Sequence, residues 1–252
     1  AEDRQKVVGV VPIDKKTSIP EGSHLVKDSN APIPNPKLGY ISASCWSVEY
    51  DNPFSSNKKD NLFSGKILGK QLALLHQNSN EFFGLSENNW IGLSSQKNHW
   101  HKNWISFFKK YRLQPQLKWA FERGYRSRLE EKAERLMEAL PLFFDQYKPQ
   151  PSLLHGDLWS GNWGTINNTT PVIFDPAIYY GDREADMAMT KLFGGFPQVF
   201  YDAYNYQWAL DYGFKVRQNL YNLYHLLNHL TLFGEVYLRK TIDVLEQLLS
   251  EI

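Results

Sequence analysis

The chain has 252 residues, 42% of them hydrophobic and 22% charged, which is enough to bury the core of one large domain or two small ones. Its 28 basic and 27 acidic residues leave a net charge of +1 without a dense basic run, which argues against a nucleic-acid partner. No apolar stretch approaches the roughly 18 residues of a membrane span, which argues against a membrane partner.

The cysteine and aromatic residues give further information on the compartment and on the kind of ligand site. The single cysteine, Cys45, cannot form an intrachain disulfide, and the first residues contain no secretory apolar segment. These features predict a soluble, cytoplasmic protein and leave the oligomeric state open. Aromatic residues make up 15% of the chain, and such residues fill cores or line sites for flat or polyhydroxylated ligands.

The region before about residue 60 is rich in Pro, Ser, Asn, Asp and Gly, which favour turns. Its strand-like segments are short and lie at Lys6–Val11, His24–Lys27 and Tyr40–Tyr50. The pattern predicts a few short β-strands there, and no helix between the second and third segments.

Helical periodicity dominates after that point, because apolar residues recur every three or four positions. The predicted helices are Leu62–His76, Trp100–Tyr111, Leu113–Phe144, Val216–Phe233 and Leu238–Ile252. The third is expected to begin near Pro115, since proline suits the first turn of a helix. Residues 153–175 predict two short strands that flank a turn-rich loop.

That loop carries the residues with the clearest chemistry. It reads HGDLWSGN from His155 to Asn162, and Asp175 follows in a short strand. Phosphoryl transfer requires a carboxylate beside the attacking hydroxyl, and oxygen ligands that hold Mg²⁺ on the β- and γ-phosphates of ATP. Asp157 and Asn162 lie five residues apart, the interval between the catalytic Asp and the metal-binding Asn of the kinase catalytic loop. Asp175 comes thirteen residues after Asn162, where a kinase chain has its magnesium-binding Asp.

The same residues have a structural interpretation. Asp and Asn are common turn formers, and an isolated D-x-x-x-x-N pattern carries almost no information. The His-Gly pair before Asp157, the two spacings and the β setting of Asp175 coincide here, and this coincidence favours the kinase interpretation. His155 itself is interpreted as an orienting or core residue rather than an acid or base.

Further segments extend this interpretation to a family. They are PVIFDPAIYYGDREADMAM, LFGGF and FYDAY after the loop, NNWIG and NHWHKNWISFFKKYRLQPQL before it, and YNLYHLLNHLTLFG near the end. Over about residues 62–250 the chain resembles the fructosamine-3-kinase (ketosamine-3-kinase) family, relatives of the aminoglycoside and choline kinases. The resemblance implies an α+β, protein-kinase-like fold with a mainly helical C-lobe and a reduced or remodelled β N-lobe.

The resemblance also implies a role for each matching residue. Asp157 would be the general base, and Asn162 and Asp175 would hold Mg²⁺. Trp159 would stack on the sugar-amine substrate, although packing is an equal interpretation. Asp186 would brace the catalytic loop, with His155 as structural support. Glu184 is a weaker candidate for bracing, because acidic residues are also common in the first turn of a helix.

The amino-terminal region fits the family pattern less closely. On the resemblance, Val48, Glu49 and Tyr50 would form the hinge that contacts adenine. Lys27 is a candidate for the lysine that grips the phosphates of ATP, but an exposed loop lysine is the more favoured interpretation. We therefore expect an incomplete, N-lobe-like β region over residues 1–50 and a helical catalytic C-lobe over residues 51–252.

The function implied is ATP-dependent phosphorylation of a sugar hydroxyl of ketosamines, the fructosamine or ribulosamine adducts of amines and proteins. This would be a deglycation activity, with a small-molecule or protein-bound ketosamine as substrate. Two alternatives stay open. One is a kinase for another hydroxylated amine, and the other is a non-catalytic pseudokinase or truncated fragment that acts only as a binding protein.

Overall fold

The computed structural model describes residues 62–165 and 170–252 in full, together with the backbone of residues 58–61, of Ile166 and of four short strands before them. In chain order the strands are β1 (Lys6–Val8), β2 (Val10–Val11), β3 (Val26–Lys27), β4 (Trp46–Glu49), β5 (Asn89–Ile91), β6 (Ser94–Gln96), β7 (Ser152–Leu154), β8 (Trp163–Ile166), β9 (Thr170–Phe174) and β10 (Tyr179–Gly181). The helices are α1 (Lys58–His76), α2 (Trp104–Phe108), α3 (Gln114–Ala120), α4 (Arg126–Ala139), α5 (Glu184–Leu192), α6 (Gln198–Gln207), α7 (Phe214–Phe233) and α8 (Leu238–Ser250). Within these ranges, no helix has the length and apolar character needed to cross a membrane.

The short amino-terminal strands fall inside the three segments predicted for them. Strand β4 pairs antiparallel with both β1 and β3, so that the sheet order is β1-β4-β3. Lys27 pairs with Trp46 in this sheet, and Val48 pairs with Val7. Tyr50 and the side chains of Lys27, Val48 and Glu49 lie outside the described residues, so the predicted hinge and phosphate lysine remain predictions.

The chain divides into two compact units. One consists of Ala1–Leu75, Leu158–Pro176 and Phe193–Ala209, and the other of His76–Asp157, Ala177–Leu192 and Leu210–Ile252. We call them unit 1 and unit 2. The boundary predicted between residues 50 and 51 lies outside the described residues and remains a prediction.

In unit 1, α1 packs closely on the start of α6 through two glycines one helical turn apart. A Cβ atom on Gly69 would lie 2.2 Å from the backbone oxygen of Phe200, whereas one on Gly65 would lie 3.5 Å from Pro197 and Val199. The helix buries Leu68 and leaves the predicted apolar positions nearer its start exposed, namely Leu62 and Phe63. Glycine at position 69 therefore allows two backbones to approach within a distance that any side chain would prevent.

In unit 2, the two helices predicted around residues 100–144 correspond to a series of helical segments from Trp104 to Ala139. A π-turn at Lys109–Leu113 carries the chain from α2 into α3, which has Pro115 in its first turn. The predicted start at Trp100 is wrong, because the side chain of Asn103 caps α2 by accepting a hydrogen bond from the Ser106 N–H at 2.8 Å.

The helix predicted over Leu113–Phe144 is not regular along its whole length. Gly124 interrupts the run with a φ of 93°, a left-handed conformation that glycine adopts at low cost. After α4 the chain tightens into a 3₁₀ turn at Leu140–Phe144. The long predicted helix is therefore a kinked series of shorter segments.

Helix α7 forms the centre of unit 2, with most of its residues buried, and α5 packs against it. A buried ion pair joins the two helices, because Arg217 donates hydrogen bonds to both carboxylate oxygens of Glu184, at 2.7 and 3.1 Å. Glu184 lies in the first turn of α5, as its interpretation as a helix-start acid expects. Its side chain is fully buried and holds α5 against α7.

The two glycines of α1 provide a matched test of close packing. We expect Gly69→Ala to destabilise the protein by about 1–3 kcal/mol, because the new methyl group would collide with the backbone of Phe200. Gly65→Ala should be neutral or stabilising by up to about 1 kcal/mol, since its Cβ has room and alanine favours the helix. Urea unfolding of both variants measures the difference, and an equal loss in the two would contradict this explanation.

Candidate functional site

The predicted catalytic loop begins where β7 ends, and β7 pairs antiparallel with β10 in unit 2. At the end of this pair, the Ala177 N–H donates to the His155 oxygen at 2.8 Å. Gly156 has a φ of 84°, and a Cβ atom there would lie 2.1 Å from the Ala177 oxygen. The glycine before Asp157 is therefore required by both the turn and the close approach of the two backbone segments.

A single buried carboxylate holds this turn in place. Asp186 accepts hydrogen bonds from the backbone N–H of His155 at 2.7 Å and of Gly156 at 2.8 Å, one on each carboxylate oxygen. Nε2 of His76 lies 3.1 Å from the same oxygen that receives the His155 N–H. These are the contacts that a bracing role for Asp186 requires, and His76 is a partner that the sequence analysis missed.

The environment of Asp186 favours its ionised form. Burial acts to raise the pKa of this carboxyl, but the hydrogen bond to His76, the electrostatic influence of His76 and His155, and the Gly156 N–H outweigh burial. The net result is a pKa below the usual range of an aspartate. Asp186 is therefore expected to be ionised at neutral pH, where it accepts hydrogen bonds from the loop.

Asp157 lies immediately after the braced turn. Its backbone N–H donates to Nδ1 of His155 at 3.3 Å, so that His155 contacts the residue it was predicted to support. The Asp157 side chain is 19% exposed, and its Oδ1 lies 4.0 Å from Nδ1 of His225 on α7. The sequence does not single out His225, because one histidine in a long apolar helix is not distinguishable from a core residue by its pattern.

The predicted metal ligands lie together at one end of the β8–β9 hairpin in unit 1. Strand β2 pairs with the other edge of β9, opposite β8. The backbone oxygen of Asn162 accepts a hydrogen bond from the Phe174 N–H at 3.1 Å, and the backbone N–H of Asn162 donates to the backbone oxygen of Trp159 at 3.0 Å. Asp175 follows Phe174 directly. The hairpin register therefore brings Asn162 and Asp175 to the same end of the strand pair.

Asp175 has an unusual backbone. It has a φ of 52°, the one positive value among the described non-glycine residues, and it precedes Pro176. The residue is exposed to solvent, but neighbouring atoms partly desolvate its carboxyl and thereby raise the pKa. Among the described residues, no hydrogen bond or ion pair to this carboxylate is found.

This pair of residues fits Mg²⁺, which binds proteins through one or two carboxylates and takes further oxygen ligands from water and substrate phosphates. An amide and a carboxylate at one hairpin end supply ligands of that kind. The described residues contain no group of three or more His, Cys, Asp or Glu that would form a complete protein cage for a metal ion. A Mg²⁺ ion held by this pair would need further oxygen ligands, such as those of water or of a nucleotide phosphate.

Trp159 packs within its own loop in unit 1. Its ring covers Gly161, where a Cβ atom would lie 2.3 Å from the indole, and its edge contacts Phe193 with ring centroids 6.2 Å apart. The side chain nevertheless remains 37% exposed. The indole thus has one side fixed by packing and part of its surface open to solvent, which is compatible with both interpretations of this residue.

The structure groups the predicted site residues in two sets. Within unit 2 it brings together His155, Asp157 and Asp186, and within unit 1 it brings together Trp159, Asn162 and Asp175. The predicted nucleotide contacts of the amino-terminal strands fall outside the described residues, as stated above.

Comparison with known proteins places the chain among characterised families of sequence and fold. A sequence profile of the family described as fructosamine kinase matches residues 48–251. A Vibrio cholerae protein named "Probable ketoamine kinase" is 43% identical over 184 residues, which cover 72% of this chain and 62% of that protein. The "Protein-ribulosamine 3-kinase, chloroplastic" of Arabidopsis thaliana is 39% identical, with coverage of 72% and 56%. The chain thus spans less than two thirds of the length of these relatives.

A solved structure extends the agreement to the fold. A Thermobifida fusca protein, provisionally assigned as a fructosamine-3-kinase, superposes with a TM-score of 0.72 at 30% identity, covering 83% of this chain and 71% of that one. The predicted kinase-like fold class is confirmed by this superposition. On the profile match and the sequence identities, the chain belongs to the fructosamine kinase family.

Proposed function

We propose that this chain carries the catalytic apparatus of an ATP-dependent kinase that phosphorylates a sugar hydroxyl of ketosamines. The observation that carries the proposal is the turn His155-Gly156-Asp157, which Asp186 braces through two backbone N–H groups. The proposal is further supported by the Asn162–Asp175 pair at the end of the β8–β9 hairpin, and by relatives named as ketoamine and protein-ribulosamine kinases.

In the proposed reaction, the Asp157 carboxylate accepts the proton of the sugar hydroxyl. The hydroxyl oxygen forms a bond to the γ-phosphorus of ATP, and the bond between that phosphorus and the leaving ADP oxygen breaks. Asn162 and Asp175 would hold Mg²⁺, which when bound neutralises charge on the transferring phosphates. Trp159 would offer its exposed indole surface to the sugar-amine substrate.

The product and the ATP contacts are part of the same proposal. Phosphorylation at the 3-hydroxyl would destabilise the adduct, which gives the reaction its deglycation role. Val48, Glu49 and Tyr50 would contact adenine. Lys27, in β3 next to β4, is the candidate for binding the phosphates of ATP. A cytoplasmic location remains the prediction that composition favours.

Binding of ATP separates this proposal from a non-catalytic binding protein. We expect Mg²⁺-dependent ATP binding by titration calorimetry, and at least tenfold weaker binding in Asp175→Asn, because the substitution removes the charge of a metal ligand. Asparagine suits this position as a control for structure, since it tolerates the left-handed backbone of Asp175. A folded wild-type protein that binds no ATP would favour the binding-protein alternative.

Asp157→Asn should separate binding from chemistry. We expect this variant to keep ATP affinity within about threefold, while ketosamine phosphorylation falls by about 10²–10⁴-fold, because the proton acceptor is lost. Turnover is measured by ADP release with a fructosyl-amine or ribulosyl-amine acceptor and with unglycated amine as the blank. Undiminished turnover in Asp157→Asn would mean that another group accepts the proton.

The bracing carboxylate should matter for stability as well as for catalysis. We expect Asp186→Asn to lose about 1–3 kcal/mol of unfolding free energy at pH 7, because an amide can accept only one of the two backbone N–H groups and opposes the other. Asp243→Asn on the exposed face of α8 is the matched control and should cost less than about 0.5 kcal/mol.

The pH dependence provides a second measurement on the same variant. Folding lowers the pKa of Asp186, so its contribution to stability is present above the ordinary aspartate pKa of about 4 and is lost as the pH falls through the folded value. Urea unfolding from pH 7 to pH 3 should therefore show a shallower loss of stability in Asp186→Asn than in the wild type. Parallel profiles would argue that Asp186 is not an ionised anchor.

A further inference from the structure

One buried polar atom near Asp157 is left without a hydrogen bond. His225 is 3% exposed, and among the described residues its Nδ1 has no hydrogen-bond partner. Buried polar side-chain atoms are nearly always paired, so an unpaired one requires a specific explanation.

The geometry points to Asp157 as the group that Nδ1 serves. The Nδ1 atom lies 4.0 Å from Oδ1 of Asp157, which is about 1 Å beyond a hydrogen bond. The backbone N–H of Asp157 donates to Nδ1 of His155 at 3.3 Å, so two histidines lie beside this residue. Hydrogen bonds of catalytic groups are often long in free enzymes and shorten when substrate binds.

The surroundings of His225 keep its imidazole neutral. Burial lowers its pKa to about 3, helped by electrostatic repulsion from His229 and Arg112 and opposed by attraction to Asp186. The ring also packs at an angle against Tyr224, with centroids 5.1 Å apart. A neutral donor can orient a carboxylate without the large loss of basicity that a neighbouring cation would cause.

We propose that His225 is a positioning residue for Asp157. Its neutral imidazole carries the proton on Nδ1 and donates it to Oδ1 of Asp157 in the substrate-bound state. This hydrogen bond fixes the rotation of the carboxylate, so that the other oxygen, Oδ2, is directed to the substrate hydroxyl. The inference rests on the proposed role of Asp157 as the proton acceptor, and no proton leaves His225 during the reaction.

Three substitutions test the position of the donor. Asparagine can place its amide nitrogen near the position of Nδ1, glutamine places it near Nε2, and leucine has no donor. We expect His225→Leu and His225→Gln to lower kcat by about 10–100-fold while KM for ATP and for the ketosamine changes by less than about threefold. His225→Asn should recover most of the loss.

Thermal unfolding of the three variants separates positioning from folding. If kcat follows the melting temperature across the set, or if His225→Asn is as impaired as His225→Leu, the proposal is overturned. A selective loss of kcat in the leucine and glutamine variants at similar melting temperatures supports it.

A spectroscopic measurement decides the pairing independently of turnover. Nitrogen-15 NMR of the imidazole should show a neutral ring with the proton on Nδ1 from pH 5 to pH 8. The Nδ1–H signal should shift in Asp157→Ala and stay unchanged in Asp243→Asn. A ring protonated on Nε2 alone would overturn the inference even in an active enzyme. If the protein shows the expected Nδ1–H signal but does not phosphorylate ketosamines, the pairing of His225 with Asp157 stands and the proposed function is refuted.

Discussion

The paired backbone hydrogen bonds to Asp186 are the constraint on which the arrangement of unit 2 depends. One carboxylate near the start of α5 receives the N–H groups of His155 and Gly156, and α5 is itself held to α7 by the Glu184–Arg217 ion pair. The core helices therefore fix the position of the loop through charge-assisted hydrogen bonds, which are shorter and stronger than neutral ones. The residue that follows, Asp157, is attached directly to this braced turn, so its position depends on Asp186.

The sequence was sufficient to predict the fold class and to select candidate residues for the site, because both depend on local patterns. Helical periodicity predicted α7 and α8 within a few residues. The loop and Asp175 were selected because the His-Gly pair, the two spacings and the β setting of Asp175 coincide in the sequence. The glycine before Asp157 then proved necessary for the close contact with Ala177.

Features that depend on distant residues could not be read from the sequence. His76 lies 110 residues from Asp186 in the chain, and its partnership exists only through tertiary packing. The sequence around Glu184 indicates a helix start, but it does not indicate the pairing with Arg217 of α7. The ends of helices were mispredicted for a local reason. The capping side chain of Asn103 and the left-handed backbone of Gly124 determine where helices begin and end, whatever the surrounding periodicity.

The backbone of Asp175 has a consequence for how ligand binding and folding are linked. A left-handed residue before proline, with a partly desolvated carboxylate, is locally unfavourable by about 1–3 kcal/mol, and the rest of the hairpin must hold it there. A cation at this carboxylate would relieve the electrostatic part of that conflict and leave the conformational part. The turn is thus pre-formed at the expense of the free protein's stability, so occupancy of the site and resistance to unfolding should rise together.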